Sequence, residues 1–318
     1  MLYETIRRLA AAGHEITLIG TCKAAPEYDI REDDFRHLAE RLGAAFLLTQ
    51  DINCPESLER LRQARSDVAV SVNWINLVGR EACGTFPHGI LNAHAGELPR
   101  YRGNAPVAWA ILQGEARVGV TIHQMDPEEV DAGPIVLTDH YPLTDSTYVG
   151  DVYQFMERRF PDLFVEAIAG ITNGTIVARP QSSDPAMALR CYPRKPEDGF
   201  VDWAAGAAAI GRLVRASAEP FSGAFTDFRG ERLTIWRARP RAWPCPSLAV
   251  PGHVVRRDRD TGEVGVATGD GLLILEEVES PGSGRCRPAS LITSVRDRLG
   301  ARPSESGPGG LAAPTRLP

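Results

Sequence analysis

The chain has 318 residues and a mass of 34.6 kDa, the size of one large domain or, more comfortably, two ordinary ones. Hydrophobic residues make up 43% and charged residues 24%, a globular composition, and no run approaches the ~18 consecutive apolar residues of a membrane span. With 35 basic against 41 acidic side chains the net charge is −6, which argues against a protein held mainly by phosphate backbones.

Glu4 to Ala12 reads as a helix with Ile6, Leu9 and Ala10 on one face, stopped by Gly13. His14 to Gly20 alternates into a short buried strand. Asp33 to Leu42 is a second helix ending at Gly43, and Ala45 to Thr49 a strand. Pro55 to Ala64 is a third helix, and Asp67 to Val72 a strand apolar enough to be buried on both faces. Strands alternating with helices of this length predict βαβ units and a mostly parallel sheet. Such domains open with a strand, and that strand is central. Here the run opens with a helix, so either the start lies downstream of the true one, the favoured expectation, or this is a shortened variant.

A Pro/Ser linker, Arg179 to Pro185, separates a second region. There Ala205 to Ala216 reads as helix. Strands follow at Ala224–Phe228, Arg232–Arg237, Gly252–Arg256, Glu263–Ala267 and Gly271–Glu277, divided by Gly and Asp turns as in a small β-barrel. Ser304 to Pro318 has too little apolar content to bury a core and is expected to be disordered. The expected organisation is an α/β catalytic domain over 1–182, a β-barrel domain over 183–300 and a tail over 301–318. The start lacks the basic, apolar and small-residue segments of a signal peptide. Six scattered cysteines form no CxxC pair, so a reduced, cytoplasmic protein without a zinc knuckle is expected.

The chemistry concentrates between Phe86 and Gly103. Gly89 to His94 alternates as a strand, so Asn92 and His94 point to one side of the sheet. At a strand's carboxyl end they would face the crevice where open α/β sheets bind ligands. Gly96 and Pro99 turn the chain, and Arg100 to Gly103 leads into a helix from Pro106 to Gln113. An amide beside an imidazole suits acyl transfer, because the amide can hold a developing oxyanion and the imidazole can move a proton. A second strand, Gly119 to Met125, leads to the acidic loop Asp126 to Asp131 and then to a strand from Ile135. A carboxylate there could orient His94 and favour its protonated form. Asp131, framed by Ala132 and Gly133, is chosen over Asp126, Glu128 and Glu129.

A lone histidine on an apolar strand is commonly a satisfied core residue. Asn92 on the same face and the turn just downstream weigh against that for His94. Nothing does so for His123, which has no nameable partner. His88 ends a turn after Pro87, and Arg100, Arg102 and Arg117 are surface arginines or phosphate ligands. No GxGxxG, GxxxxGK[ST], HExxH or GxSxG occurs, which excludes the nucleotide-cofactor dehydrogenase pattern among others.

Asn92-x-His94 followed by Leu98-Pro99-Arg100-Tyr101-Arg102-Gly103 resembles the signature of 10-formyltetrahydrofolate-dependent formyltransferases. Gly119-Val120-Thr121 and Asp131-Ala132-Gly133 resemble two further elements of that family in order and spacing. Asp198 to Trp203, Val214-Arg215-Ala216 and Ser222 to Thr226 are similar to the second domain of amino-sugar N-formyltransferases and methionyl-tRNA formyltransferase. The resemblance covers roughly residues 1–280 and implies a Rossmann-like domain followed by an OB-like barrel. It implies that His94 is the general acid/base, that Asn92 steadies the tetrahedral intermediate, and that Asp131 holds His94 and raises its pKa. It also implies a folate pocket lined by Asn76, Leu77 and Val78, by Asn104, where sugar-modifying relatives can carry Arg, and by Pro127, Glu128, Glu129 and Val130. The turn Ala95-Gly96-Glu97 replaces the usual Gly-Ser-Leu.

The family's tRNA enzyme carries a basic insertion after its second strand. The corresponding stretch, Thr21 to Asp34, has two basic and five acidic residues. The expected acceptor is therefore the amine of a nucleotide-linked amino sugar or similar metabolite, with methionyl-tRNA as the alternative. A folate-binding protein without turnover is the reading from another class. A homodimer is compatible with this family.

Overall fold

The computed structural model describes residues 1–24, 29–74, 76–245 and 247–300. The expected disordered tail at 301–318 and part of the Thr21–Asp34 stretch lie outside them. The chain divides into two compact units, the first Met1–Arg194 and the second from Lys195 onward.

The first unit begins with α1 (Leu2–Ala11), β1 (Leu18–Thr21), α2 (Glu32–Leu42), β2 (Ala45–Leu48) and α3 (Pro55–Ala64). It continues through β3 (Ala69–Ser71), α4 (Arg80–Cys83), β4 (Ile90–His94), β5 (Arg102–Gly103) and α5 (Pro106–Gln113). β6 (Arg117–Gln124), β7 (Ile135–Pro142), α6 (Val149–Thr172) and β8 (Arg190–Cys191) complete it. The helix boundaries follow local chemistry. Gly43 takes a left-handed conformation that ends α2, and α5 has Pro106 in its first turn, where the missing N–H costs nothing.

β1 and β2 pair in parallel, as do β3 and β4. β6 runs antiparallel to β4, and β7 antiparallel to β6, so the main sheet has the order β3-β4-β6-β7. β1 and β2 form a separate two-stranded sheet. Val118, Val120 and Ile122 of β6 are buried, as are Phe160, Leu163 and Phe164 of α6, which packs on β6, β7, α5 and α1. A second cluster, Ile6, Ile19, Leu38 and Ala39, ties α1 and α2 to β1.

The expected boundary after residue 182 falls earlier than the division after Arg194. The reason is β8, which returns past the Pro/Ser linker to pair in parallel with β5, bringing Cys191 opposite Gly103. Gly103 has φ +97°, and a Cβ there would lie 2.4 Å from the Cys191 carbonyl oxygen, so only glycine admits this pairing.

The second unit contains α7 (Ala207–Ser217), then β9 (Ala224–Phe228), β10 (Glu231–Arg241) and β11 (Val254–Arg257). β12 (Val264–Ala267), β13 (Leu272–Ser280), β14 (Gly284–Cys286) and α8 (Pro288–Leu291) follow. Its strands form one antiparallel sheet in the order β11-β12-β13-β10-β9, with β14 also on β13. Alternation along β9 and apolar runs such as Leu272–Leu275 bury one continuous core beneath α7.

Candidate active site

Asn92 and His94 occupy β4, with β6 as antiparallel neighbour. The register sets Asn92 opposite His123 and His94 opposite Thr121, so these four side chains share one face. The Asn92 Nδ2–H donates to His123 Nε2 at 3.2 Å. The other nitrogen of His123, Nδ1, lies 2.8 Å from the Gln124 carbonyl oxygen. A carbonyl can only accept, so Nδ1 carries the proton and Nε2 is the acceptor for Asn92. One amide hydrogen of Asn92 is thus committed to His123, and the second is not engaged by that bond.

His94 is fixed in the same way. Its Nε2–H donates to the Tyr101 carbonyl at 2.7 Å, and its Nδ1 lies 3.4 Å from Asp131 Oδ2. Asp131 in turn accepts the Gly103 N–H at 2.8 Å, and its Oδ1 lies 3.4 Å from His123 Nε2. One carboxylate therefore faces both imidazoles, and both are buried.

The loop that presents Asp131 is held from behind. Gln181 Nε2 donates to the carbonyl oxygens of Asp131 and Gly133, each at 2.7 Å. The buried Arg102 holds Gln181 through Oε1 at 2.8 Å and pairs with Glu129 at 2.9 Å. Asp131 adopts φ +57°, a conformation an aspartate tolerates better than most residues. Gly133 passes so close to β6 that a Cβ would lie 1.9 Å from the Gln124 carbonyl oxygen. Sequence reasoning missed Gln181, which sits in the linker, and treated Arg102 as a surface or phosphate-binding residue. No local pattern could have linked either to Asp131, some 30 to 50 positions away.

Burial pushes the Asp131 carboxyl up, but its contact with His123, the charge of His94 and the Gly103 N–H together hold it below the ordinary carboxylate range. It is the anion of the site. Burial is also the largest influence on His94 and takes the imidazole below its ordinary value of 6.5, with His123 acting in the same sense. The Asp131 charge and the Tyr101 carbonyl pull it upward without overturning that. Asp131 does act on His94 in the expected upward sense, but desolvation outweighs it and the net shift is downward. The resting imidazole is neutral and carries its proton on Nε2, so Nδ1 is the atom open to a proton.

His94 opens onto a cavity of about 180 Å³ lined also by Val72, Asn73, Ala95, Asn104 and Tyr153. Of the residues expected around a folate, Asn104 therefore borders the same cavity as His94. Asn76, Leu77, Val78, Pro127, Glu128, Glu129 and Val130 are not on its wall. Asn76 donates to the Gln50 carbonyl, and the Leu77 carbonyl accepts from Asn53. Val78 belongs to the apolar cluster around Leu58 and Phe86. Pro127 follows Asp126, whose carboxylate accepts the N–H groups of Glu128 and Glu129, while Glu128 also pairs with Arg80. Val130 is exposed.

The formyl transferase family model matches residues 23–168, and the model of the formyl transferase C-terminal domain matches residues 194–296. The chain belongs to the formyl transferase family. Methionyl-tRNA formyltransferase of Solibacter usitatus (strain Ellin6076) is 32% identical over 295 residues, covering 92% of each chain. Methionyl-tRNA formyltransferase of Roseiflexus castenholzii (strain DSM 13941 / HLO8) is 36% identical over 270 residues, covering 83% of each. Among solved structures, the N-formyltransferase from Helicobacter canadensis has a TM-score of 0.62 at 16% identity, over 86% of this chain and 94% of that one. That likeness is one of fold. The enzyme transfers formyl groups, and the α/β fold with an antiparallel second unit is the family's.

The contact between Asn92 and His123 has a measurable consequence. In His123→Phe the Asn92 amide loses its acceptor and swings. We expect kcat for formyl transfer to fall by about 10- to 100-fold, the range for a removed outer hydrogen-bond partner. The thermal midpoint should stay close to wild type, since Phe fills the buried volume. Unchanged kcat would show that Asn92 does not need His123.

Proposed function

We propose that Asn92, His94 and Asp131 transfer the formyl group of 10-formyltetrahydrofolate to the primary amine of a nucleotide-linked amino sugar or similar small metabolite. The amine nitrogen attacks the formyl carbon, forming the C–N bond and a tetrahedral oxyanion that meets the second amide hydrogen of Asn92. His94 Nδ1 takes the proton released by the nitrogen, and the resulting imidazolium lies against the Asp131 carboxylate. Cleavage of the bond to N10, with return of the proton to that nitrogen, releases the formamide and tetrahydrofolate. The observation that carries the assignment is the shared carboxylate of Asp131, facing both the imidazole that moves the proton and the one that positions Asn92.

Charge supports the small acceptor. Acidic residues outnumber basic ones across the first unit. The arginines near the site are paired with carboxylates: Arg100 with Glu115, Arg102 with Glu129, Arg117 with Glu97. A polynucleotide recruits many uncommitted cations, whereas a nucleoside diphosphate asks for one or two. The second reading, methionyl-tRNA as acceptor, is favoured by the 32% and 36% identity to methionyl-tRNA formyltransferases.

An acceptor panel separates them. Purified enzyme and 10-formyltetrahydrofolate are offered nucleotide-linked amino sugars, other metabolite amines and methionyl-tRNA, following tetrahydrofolate release. We expect acceptor-dependent release with a small amine at low and moderate salt alike. Release only with methionyl-tRNA, falling steeply with salt, would replace the first reading by the second.

A further inference from the structure

The cavity beside His94 has an apolar floor and a polar rim. Val107 of α5 and Met156 and Phe160 of α6 line the floor, and all three are buried. Tyr153, Met156 and Phe160 recur at helical spacing, so they lie along one face of α6.

The rim comes from two loops. Asn73 follows the carboxyl end of β3, and Asn104 lies between β5 and α5. Both line the cavity, both are exposed, and neither carboxamide has a hydrogen-bond partner among the described residues. Asn104 is fixed through its backbone, whose N–H donates to the Cys191 carbonyl at 3.1 Å. Asn73 holds a left-handed backbone, φ +55°, which asparagine adopts more readily than most residues. That conformation accounts for an asparagine at 73 but not for a second carboxamide on the same rim.

Charge and size narrow the ligand. No Asp, Glu, Lys or Arg side chain lines the cavity among the described residues. Its volume of about 180 Å³ is below the ~300–1,000 Å³ that encloses a whole drug-sized ligand. It therefore takes only the amine-bearing end of an acceptor. A carboxylate or phosphate at that end would be desolvated with no cation to meet it. A hydroxyl is well served, since a carboxamide offers both donors and an acceptor. The floor suits a carbon skeleton.

We propose that Asn73 and Asn104 select the acceptor by hydrogen-bonding a hydroxyl beside its reacting amine, while the ring carbons lie on Val107, Met156 and Phe160. The acceptor end is an uncharged, hydroxylated ring amine, and Asn104 serves the acceptor and not the folate. This deepens the proposed function and rests on His94 taking the amine proton.

The test uses three ring amines that differ only on the carbon next to the one bearing nitrogen: 2-aminocyclohexanol, cyclohexylamine and 2-aminocyclohexanecarboxylate. Each is titrated into the full chain, and the side-chain NH2 signals of Asn73 and Asn104 are followed by NMR. We expect the amino alcohol to shift both signals and to bind about 3- to 10-fold more tightly than cyclohexylamine, the worth of an uncharged hydrogen bond. The carboxylate should bind more weakly than either. Asn73→Gly removes the carboxamide but keeps the left-handed backbone, and Asn104→Ala leaves the bond to the Cys191 carbonyl in place. In the double variant, followed through the His94 ring signals, the amino alcohol should bind no better than cyclohexylamine. Equal affinities in the wild type, or no shift of the two side-chain signals, would overturn the proposal. So would an advantage that survives in the double variant. Binding read this way does not depend on turnover: a preference that holds while no ring amine is formylated would remove the catalytic assignment and leave the selection standing.

Discussion

His94→Ala should lower kcat/KM for formyl transfer by about 100- to 10,000-fold, the span of a lost general acid/base, while the protein stays folded. The loss belongs in kcat, because the imidazole acts on a proton that moves only in the transition state. His94 is buried and its Nε2–H binds the Tyr101 carbonyl, so Ala leaves that acceptor without its donor. A conservative companion, His94→Gln, keeps a hydrogen-bonding side chain in the space but cannot shuttle a proton at Nδ1. If both variants lose activity alike and keep the wild-type thermal midpoint, proton transfer is the lost function. Near-wild-type turnover in the glutamine variant would remove His94 from the proton-transfer role.

Most of the architecture of the first unit is legible in the sequence because its elements are short and sharply punctuated. Gly43 and Pro106 mark real helix ends, and the expected helix from Pro106 to Gln113 is the observed α5. α6 escapes such a reading. Its 24 residues include Pro161, which in isolation signals a break, yet the helix runs on with Pro161 buried among the apolar residues of its inner face. The site divides in a similar way. Asn92 and His94 can be named from residue type and from the alternation of one strand, and Asp131 from its place beside Ala132 and Gly133 in the acidic loop between β6 and β7. His123 cannot, because its partner Asn92 is supplied by the register of β4 on β6, a property of two segments together. Gln181 is further from reach, as its side chain acts on Asp131 and Gly133 from a stretch that looks like linker. The folate positions inferred from resemblance divide as well: Asn104 borders the His94 cavity, whereas Val78 is part of an apolar cluster.

Asp131→Asn should separate the electrostatic work of the carboxylate from its structural work. Asparagine is nearly isosteric, tolerates the left-handed backbone at this position, and can keep an oxygen on the Gly103 N–H. The fold and the Gln181 clamp on the loop should therefore persist, read as an unchanged thermal midpoint. What disappears is the negative charge 3.4 Å from His94 Nδ1 and from His123 Nε2. In the wild type that charge pulls the His94 pKa upward against burial, which holds it below 6.5. Removing it leaves burial unopposed on that side, so the His94 pKa must fall further. An NMR titration of the His94 ring should place the wild-type midpoint on the acid side of 6.5 and the Asp131→Asn midpoint at still lower pH. At neutral pH the imidazole is uncharged in both proteins, so the variant does not lose activity through the wrong resting protonation state. It loses the stabilisation of the imidazolium that forms as the amine gives up its proton, and kcat should drop by about 100-fold or more. A midpoint that moves upward in the variant would show that Asp131 does not act on His94 through its charge. A downward shift with unchanged kcat would show that the imidazolium is not formed in the rate-limiting step.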